Sequence, residues 1–197
     1  MDYKGIIYET IKEMINHDNH KKRIMRDKMF INLFNGSSIN ENIDNDKKND
    51  VIDKLKRNDF ERDNPQSFYD AMMKSKHMEM LSPYSLSELR EMKLFKLDGY
   101  DIGFALKRTD RGEYDEIVSV FNNEDGVGGI GKELVNAAVR NGGCYLDHYD
   151  GFLSKLYSAT GFVEYDRYKF DPQYDPDGKF REKYGEVDVI FRKHKDC

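Results

Sequence analysis

The chain has 197 residues, room for one domain with an appendage or for two small ones. Hydrophobic residues make up 38% and Phe plus Tyr 13%, enough for a core despite a mean hydropathy of -0.84. Charged residues reach 35% in both signs around a formal net charge of -5, which describes a solvated surface; the basic stripe needed to neutralise phosphates is missing, so nucleic acid is not an expected partner. The locally basic run from His20 to Lys28 reads as a solvated helix face. No stretch approaches the length of an apolar membrane span, and the first residues carry acids where a signal peptide carries bases. A soluble, cytoplasmic protein is expected. Cys144 and Cys197 show no metal-ligand spacing, and Cys197 is the last residue, where chains are usually loose. No structural disulfide is expected, and a reducing compartment fits.

From Tyr3 to Ile15 apolar residues recur at helical spacing, and a second apolar group from Ile24 to Phe34 predicts another helix. Asn35 to Asp50 is poor in apolar residues and rich in turn formers, and reads as a flexible polar loop. A short helix at Val51–Lys56 follows, then one from Pro65 to about Met80, where proline suits the first turn. Ser85 and Glu88 have capping-box spacing and predict a short helix to about Met92. Residues 1–91 thus form a helical segment, open to a protein partner.

After Met92 the texture changes. Lys93–Leu97, Asp101–Lys107 and Glu116–Phe121 are strand-like runs joined by hairpin-length links, an antiparallel meander. Lys132–Arg140 is an amphipathic helix ended by Asn141-Gly142-Gly143. Cys144–Tyr149 reads as a strand, Phe152–Thr160 as a helix and Val163–Phe170 as a strand. Asp171–Gly185 reads as a long loop, and Val187–Arg192 as the last strand. The order β-β-β-α-β-α-β-β is mixed α/β.

The segment GVGGIGKEL, Gly126 to Leu134, joins a strand to a helix. Such a turn aims backbone N–H groups at one point and the helix dipole adds positive charge there, which suits a pyrophosphate. A Walker loop is excluded because no Ser or Thr follows Lys132. A dinucleotide-binding unit is disfavoured because the preceding strands are antiparallel in pattern.

Further on comes LYSATGF, Leu156 to Phe162. Together the two motifs resemble the GNAT N-acetyltransferase family, in which a G-x-G loop opens the helix after the fourth strand and a later LY-x-x-x-GF closes the next helix. Gly129 and Gly131 stand at the loop positions, and Leu156, Tyr157, Gly161 and Phe162 match the second motif. The resemblance covers residues 92–197 and implies a GNAT-like acyl-CoA N-acyltransferase fold with a central mixed, mostly antiparallel sheet.

It also implies a function: transfer of an acetyl group from acetyl-coenzyme A to an amine of unspecified identity. In the family the loop amides hold the coenzyme pyrophosphate, which assigns that role to Gly126, Val127, Gly128, Gly129, Ile130, Gly131 and Lys132. The preceding strand, with Val118 and Val120, is expected to splay from its neighbour and pair with the pantetheine. Tyr157 is the implied acid for the departing thiolate; His148 and Glu116 are secondary candidates for proton transfer. The family's usual Arg or Gln before the loop is replaced by Gly126, a loss that Lys132 or Arg140 could partly make good. The polar residue, often Asn, that bonds the cofactor arm is replaced by Asp150. No metal site is expected, since strand alternation puts Asp147 and His148 on opposite faces. An alternative from the same resemblance is a non-catalytic module, like GNAT-like domains carried by bacteriophages and associated with virions.

Overall fold

The computed structural model describes residues 44–74, 84–109, 113–175, 177–178, 181–182 and 185–197. The helices expected at Tyr3–Ile15 and Ile24–Phe34, and the basic run His20–Lys28, lie outside these residues.

The first element is helix α1, Asn45–Arg57. It begins six residues ahead of the expected Val51 and takes in part of the stretch read as a polar loop. The side chain of Asp44 accepts a hydrogen bond from Lys47 N–H at 3.0 Å and caps the first turn. The exposed Asn, Asp and Lys residues hide the helix from a reading based on apolar period; Val51 and Leu55, both fully buried, tie it to the core.

Strand β1, Phe60–Arg62, follows, and pairs antiparallel with β2, Lys93–Leu97. Three residues are too few to show alternation, and only Phe60 packs inward, edge-on to Phe95 and Phe104. Between these strands lie α2, Pro65–Met73, and α3, Leu86–Arg90. The expected capping box is present: Ser85 Oγ accepts from Glu88 N–H, and Glu88 Oε2 accepts from Ser85 N–H at 2.9 Å.

β3, Ile102–Arg108, and β4, Tyr114–Asn122, complete an antiparallel meander. Helix α4, Gly131–Arg140, leads to β5, Tyr145–Tyr149; helix α5, Phe152–Ala159, leads to β6, Phe162–Tyr168; β7 is Val189–His194. The seven strands form one sheet in the order β1-β2-β3-β4-β5-β7-β6. All pairs are antiparallel except β4–β5. This is the mixed α/β arrangement with a central, mostly antiparallel sheet that was expected.

Helices cover both faces, as a sheet with alternating apolar residues requires. On one face Val51, Leu55, Leu134 and Tyr157 pack against Ile102, Phe104, Leu106, Ile117 and Leu146. On the other, Phe68, Met72 and Leu89 pack against Leu94, Ala105, Val118 and Phe121. Residues 44–74 and 84–91 therefore share sheet and core with the region after Met92.

The cysteines correct an expectation. Cys144 and Cys197 are joined by a disulfide with Cα atoms 5.9 Å apart. β7 runs antiparallel to β5, and His194 N–H donates to the Cys144 carbonyl at 2.8 Å, which carries the chain end back to the start of β5. The terminal residue is thus tied down, and cysteine usage no longer argues for a reducing compartment. Among the described residues no helix is long and apolar enough to cross a membrane.

Candidate functional site

The centre of the sheet is where β4 and β5, the parallel pair, meet and part. Their ladder holds at Glu116 and Tyr145, supported by Cys144 N–H donating to the Asp115 carbonyl at 2.7 Å. No further ladder pair joins them among the described residues. β4 is bent by a bulge: Gly103 pairs with Phe121 but Ala105 pairs with Val118, so β4 spends an extra residue there. Ser119, buried and at φ 51, is the residue that absorbs it. Beyond the bulge β4 keeps β3 on one side, and backbone groups on its other side face the split. Val118 and Val120 flank Ser119 on either side, their side chains anchored in opposite cores.

Because β4 and β5 are parallel, their C-terminal ends lie at one edge of the sheet. The glycine loop follows β4, and Asp150 with the start of α5 follows β5. Two helix N-termini therefore flank the open end of the split.

The loop is shaped from both sides. Asn122 Nδ2 donates to the Val127 carbonyl at 2.7 Å, and Glu124 N–H donates to Asn122 Oδ1 at 3.1 Å. Gly126 and Gly129 both stand at φ 77, a conformation that favours glycine. Val127 and Ile130 are buried and pin the loop, while Gly128 and Gly129 are exposed. A Cβ added at Gly128 would meet nothing within 4 Å. Ile130 caps α4 without a side-chain hydrogen bond, and the first helical bond runs from Leu134 N–H to the Ile130 carbonyl at 3.0 Å. The amides of Gly131, Lys132 and Glu133 thus face outward from a helix end, which suits an anion. Lys132 is exposed at this end. Arg140 is not available to the loop: it sits at the other end of α4 and donates to the Leu55 carbonyl at 2.6 Å.

Asp150 is not a bare charge. Its carboxylate accepts from Arg167 at 2.7 Å and from Ser154 Oγ at 2.8 Å. The guanidinium, ahead of burial and the remaining contacts, holds the Asp150 carboxyl below its usual range. Arg167 also binds Glu164 at 2.8 Å and Asp188 at 3.2 Å. It is a hub of three carboxylates that ties the entrance of α5 to β6 and to the approach of β7.

His148 is fully buried on the α5 side of β5, 4.9 Å from the Tyr157 ring. Both nitrogens are used. A carbonyl can only accept and a guanidinium can only donate, so Nδ1–H donates to the Tyr149 carbonyl at 2.6 Å and Nε2 accepts from Arg192 Nε at 2.8 Å. Burial, reinforced by the Arg192 charge and partly opposed by the Tyr149 bond, pushes its pKa down to about 4. The imidazole is therefore a neutral structural group with no nitrogen left for a substrate proton. Tyr157 is also fully buried, its ring between His148 and Phe162. Glu116 lies at the closed end of the split, 3.4 Å from Lys107 Nζ, and about 20 Å along β4 from the glycine loop. The structure thus gathers Val118, Val120, the loop and Asp150 around the split and leaves Glu116 at its far end. Among the described residues no group of three or more metal-ligating side chains converges.

Sequence reasoning missed Ser119, whose bulge opens the strand pair, and Asn122, which shapes the loop. It also missed Lys47 and Lys48 of α1. Lys47 Nζ pairs with Glu124 at 2.7 Å, and Lys48 Nζ lies 3.4 Å from the place a Cβ on Gly129 would take. Only the Asn before the loop carried a usable signal, as a short polar side chain able to bond a turn backbone.

No family model matches the chain, and no curated protein matches it. Among solved structures, a ribosomal-protein-alanine N-acetyltransferase from Brucella melitensis is similar, at 16% identity and a TM-score of 0.36, over 68% of this chain and 96% of that one. A likeness of that degree leaves the fold class resting on the sheet topology itself.

Proposed function

We propose that the protein transfers an acetyl group from acetyl-coenzyme A to an amine. The observation that carries this reading is the split between β4 and β5, ending at an uncapped helix N-terminus behind a glycine loop with open space at Gly128. The split presents strand backbone along one side, as an amide-containing arm requires. The loop presents amides to a pyrophosphate.

In this reading the amides of Gly128 to Lys132 hold the pyrophosphate, and Val118 and Val120 contribute strand backbone to the pantetheine. The bulge at Ser119 turns further backbone toward the thioester carbonyl and polarises it. The amine nitrogen attacks the carbonyl carbon, a C–N bond forms, and the C–S bond breaks. Tyr157 supplies the proton that the sulfur takes up, and the proton lost by the amine passes to water or to Glu116. His148 takes no proton; it positions Tyr157 through ring contact. Asp150, neutralised by Arg167, holds the start of α5 rather than repelling phosphate.

Titration calorimetry with acetyl-coenzyme A tests this reading. Wild type is expected to bind at micromolar affinity, and Gly128→Glu to stay folded and lose binding, because it places a carboxylate in open space over the loop. A folded wild type that binds nothing at high concentration would reject the enzyme and favour a non-catalytic module. Once an amine is found, Tyr157→Phe is expected to retain binding and lose at least about tenfold in turnover.

A further inference from the structure

Helix α1 precedes the first strand, yet it is docked against the glycine loop. Val51 and Leu55 are buried in the core, Arg140 donates to the Leu55 carbonyl, and the Tyr100 hydroxyl donates to Asp50 at 2.6 Å. At its other end Lys47 Nζ pairs with Glu124 at 2.7 Å and lies 3.5 Å from the Asp125 carbonyl, the residue that opens the loop. These contacts, to the core, to Arg140 of α4, to Tyr100 and to the start of the loop, fix the register of α1.

Two adjacent lysines are treated differently. Lys47 is spent on Glu124, which with burial opposing raises its pKa. Lys48, a half-buried residue, forms no ion pair among the described residues, and its ammonium stands 3.4 Å from the position of a Cβ on Gly129. Gly129 has no side chain, so the ammonium lies beside the loop backbone. Gly126 likewise supplies no cation of its own, Arg140 is bound elsewhere, and Lys132 is exposed on the helix end.

We infer that Lys48 is the phosphate-binding cation of this site, reaching over Gly129 to the diphosphate of an acyl-carrying nucleotide cosubstrate. This rests on the acetyl-coenzyme A reading above. α1 is then part of the binding site, and the helix ahead of the sheet substitutes for the loop side chain that Gly126 lacks. The loop amides contribute fixed dipoles and Lys48 contributes the full charge, as a point donor with a flexible stem.

The experiment is titration of full-length wild type, Lys48→Ala and Lys48→Arg with acetyl-coenzyme A at low and moderate salt, with Gly128→Glu alongside and melting temperatures for all four. Lys48→Ala is expected to bind roughly tenfold more weakly with a shallower salt dependence, because one charge-assisted contact to phosphate is lost. Lys48→Arg is expected to restore most of the affinity, and both variants to melt like wild type. If wild type binds, Gly128→Glu does not, and Lys48→Ala binds as wild type, the role of Lys48 is overturned while the loop reading stands. A weakened Lys48→Ala that also melts markedly lower overturns it in favour of helix docking. Absence of binding by wild type overturns both.

Discussion

The Nε–H of Arg192 points at Nε2 of His148 across 2.8 Å inside the core, so a buried cation is held by a neutral imidazole rather than by a carboxylate. Arg192 Nη1 also donates to Ser158 Oγ at 3.1 Å and to the Phe162 carbonyl at 3.2 Å. The arrangement locks β7 to α5 and depends on His148 staying unprotonated.

That dependence sets an acid limit. The folded-state pKa of His148 is near 4, below its ordinary value of 6.5, so the unfolded chain takes up the extra proton first as pH falls. Its contribution is complete above about pH 6.5 and is lost progressively between pH 6.5 and 4, at up to about 1.4 kcal/mol per pH unit. Urea unfolding across this range is expected to show falling stability, and His148→Gln, a neutral group able to accept from Arg192, to flatten the slope. An unchanged slope in His148→Gln would assign the acid limit to other groups.

Gly143 sets where β5 starts. A Cβ there would lie 2.4 Å from Ile117 Cγ1 and 3.0 Å from the Ala138 carbonyl. Gly143→Ala is expected to destabilise the fold by about 1–3 kcal/mol, the usual cost of overpacking, read as a lower urea midpoint at constant m-value. A midpoint equal to wild type would show that β4 and α4 can part without cost.

The disulfide between Cys144 and Cys197 closes a loop with a sequence separation of 53. Chain-entropy reasoning gives roughly 4 kcal/mol of stabilisation for a loop of that size, with strain able to reduce it. Cys197→Ser is expected to melt lower than oxidised wild type, and a reducing agent to bring wild type to the same value while leaving the variant unchanged. If the reductant shifts both proteins equally, the bridge is not the cause.

Asp150 and Arg167 give a paired outcome. Arg167→Met removes the partner that neutralises Asp150 and is expected to weaken acetyl-coenzyme A binding by roughly tenfold. Asp150→Asn is expected to bind at least as tightly as wild type, and the double variant to resemble Asp150→Asn. If Arg167→Met and the double variant weaken binding equally, Arg167 acts through Glu164 or Asp188 instead.

The sequence by itself determined the regular elements of the sheet after Met92, because period-two runs, glycine stops and the capping box at Ser85 are local signals that packing reinforced. It also located the strand-to-helix glycine loop, since positive φ at a tight turn selects glycine within a few residues. Tertiary structure decided what depends on distant partners. α1 is a helix because Asp44 caps it and the core receives Val51 and Leu55, while its exposed residues carry no apolar period. β1 exists because β2 offers an edge, and the disulfide because β7 returns along β5. His148 was readable as a titratable group on a strand. Its neutrality comes from burial in the core, reinforced by Arg192, a residue 44 positions away. Lys48 was invisible for the same reason: only docking of α1 onto the core brings its charge to Gly129, and no local pattern encodes that contact.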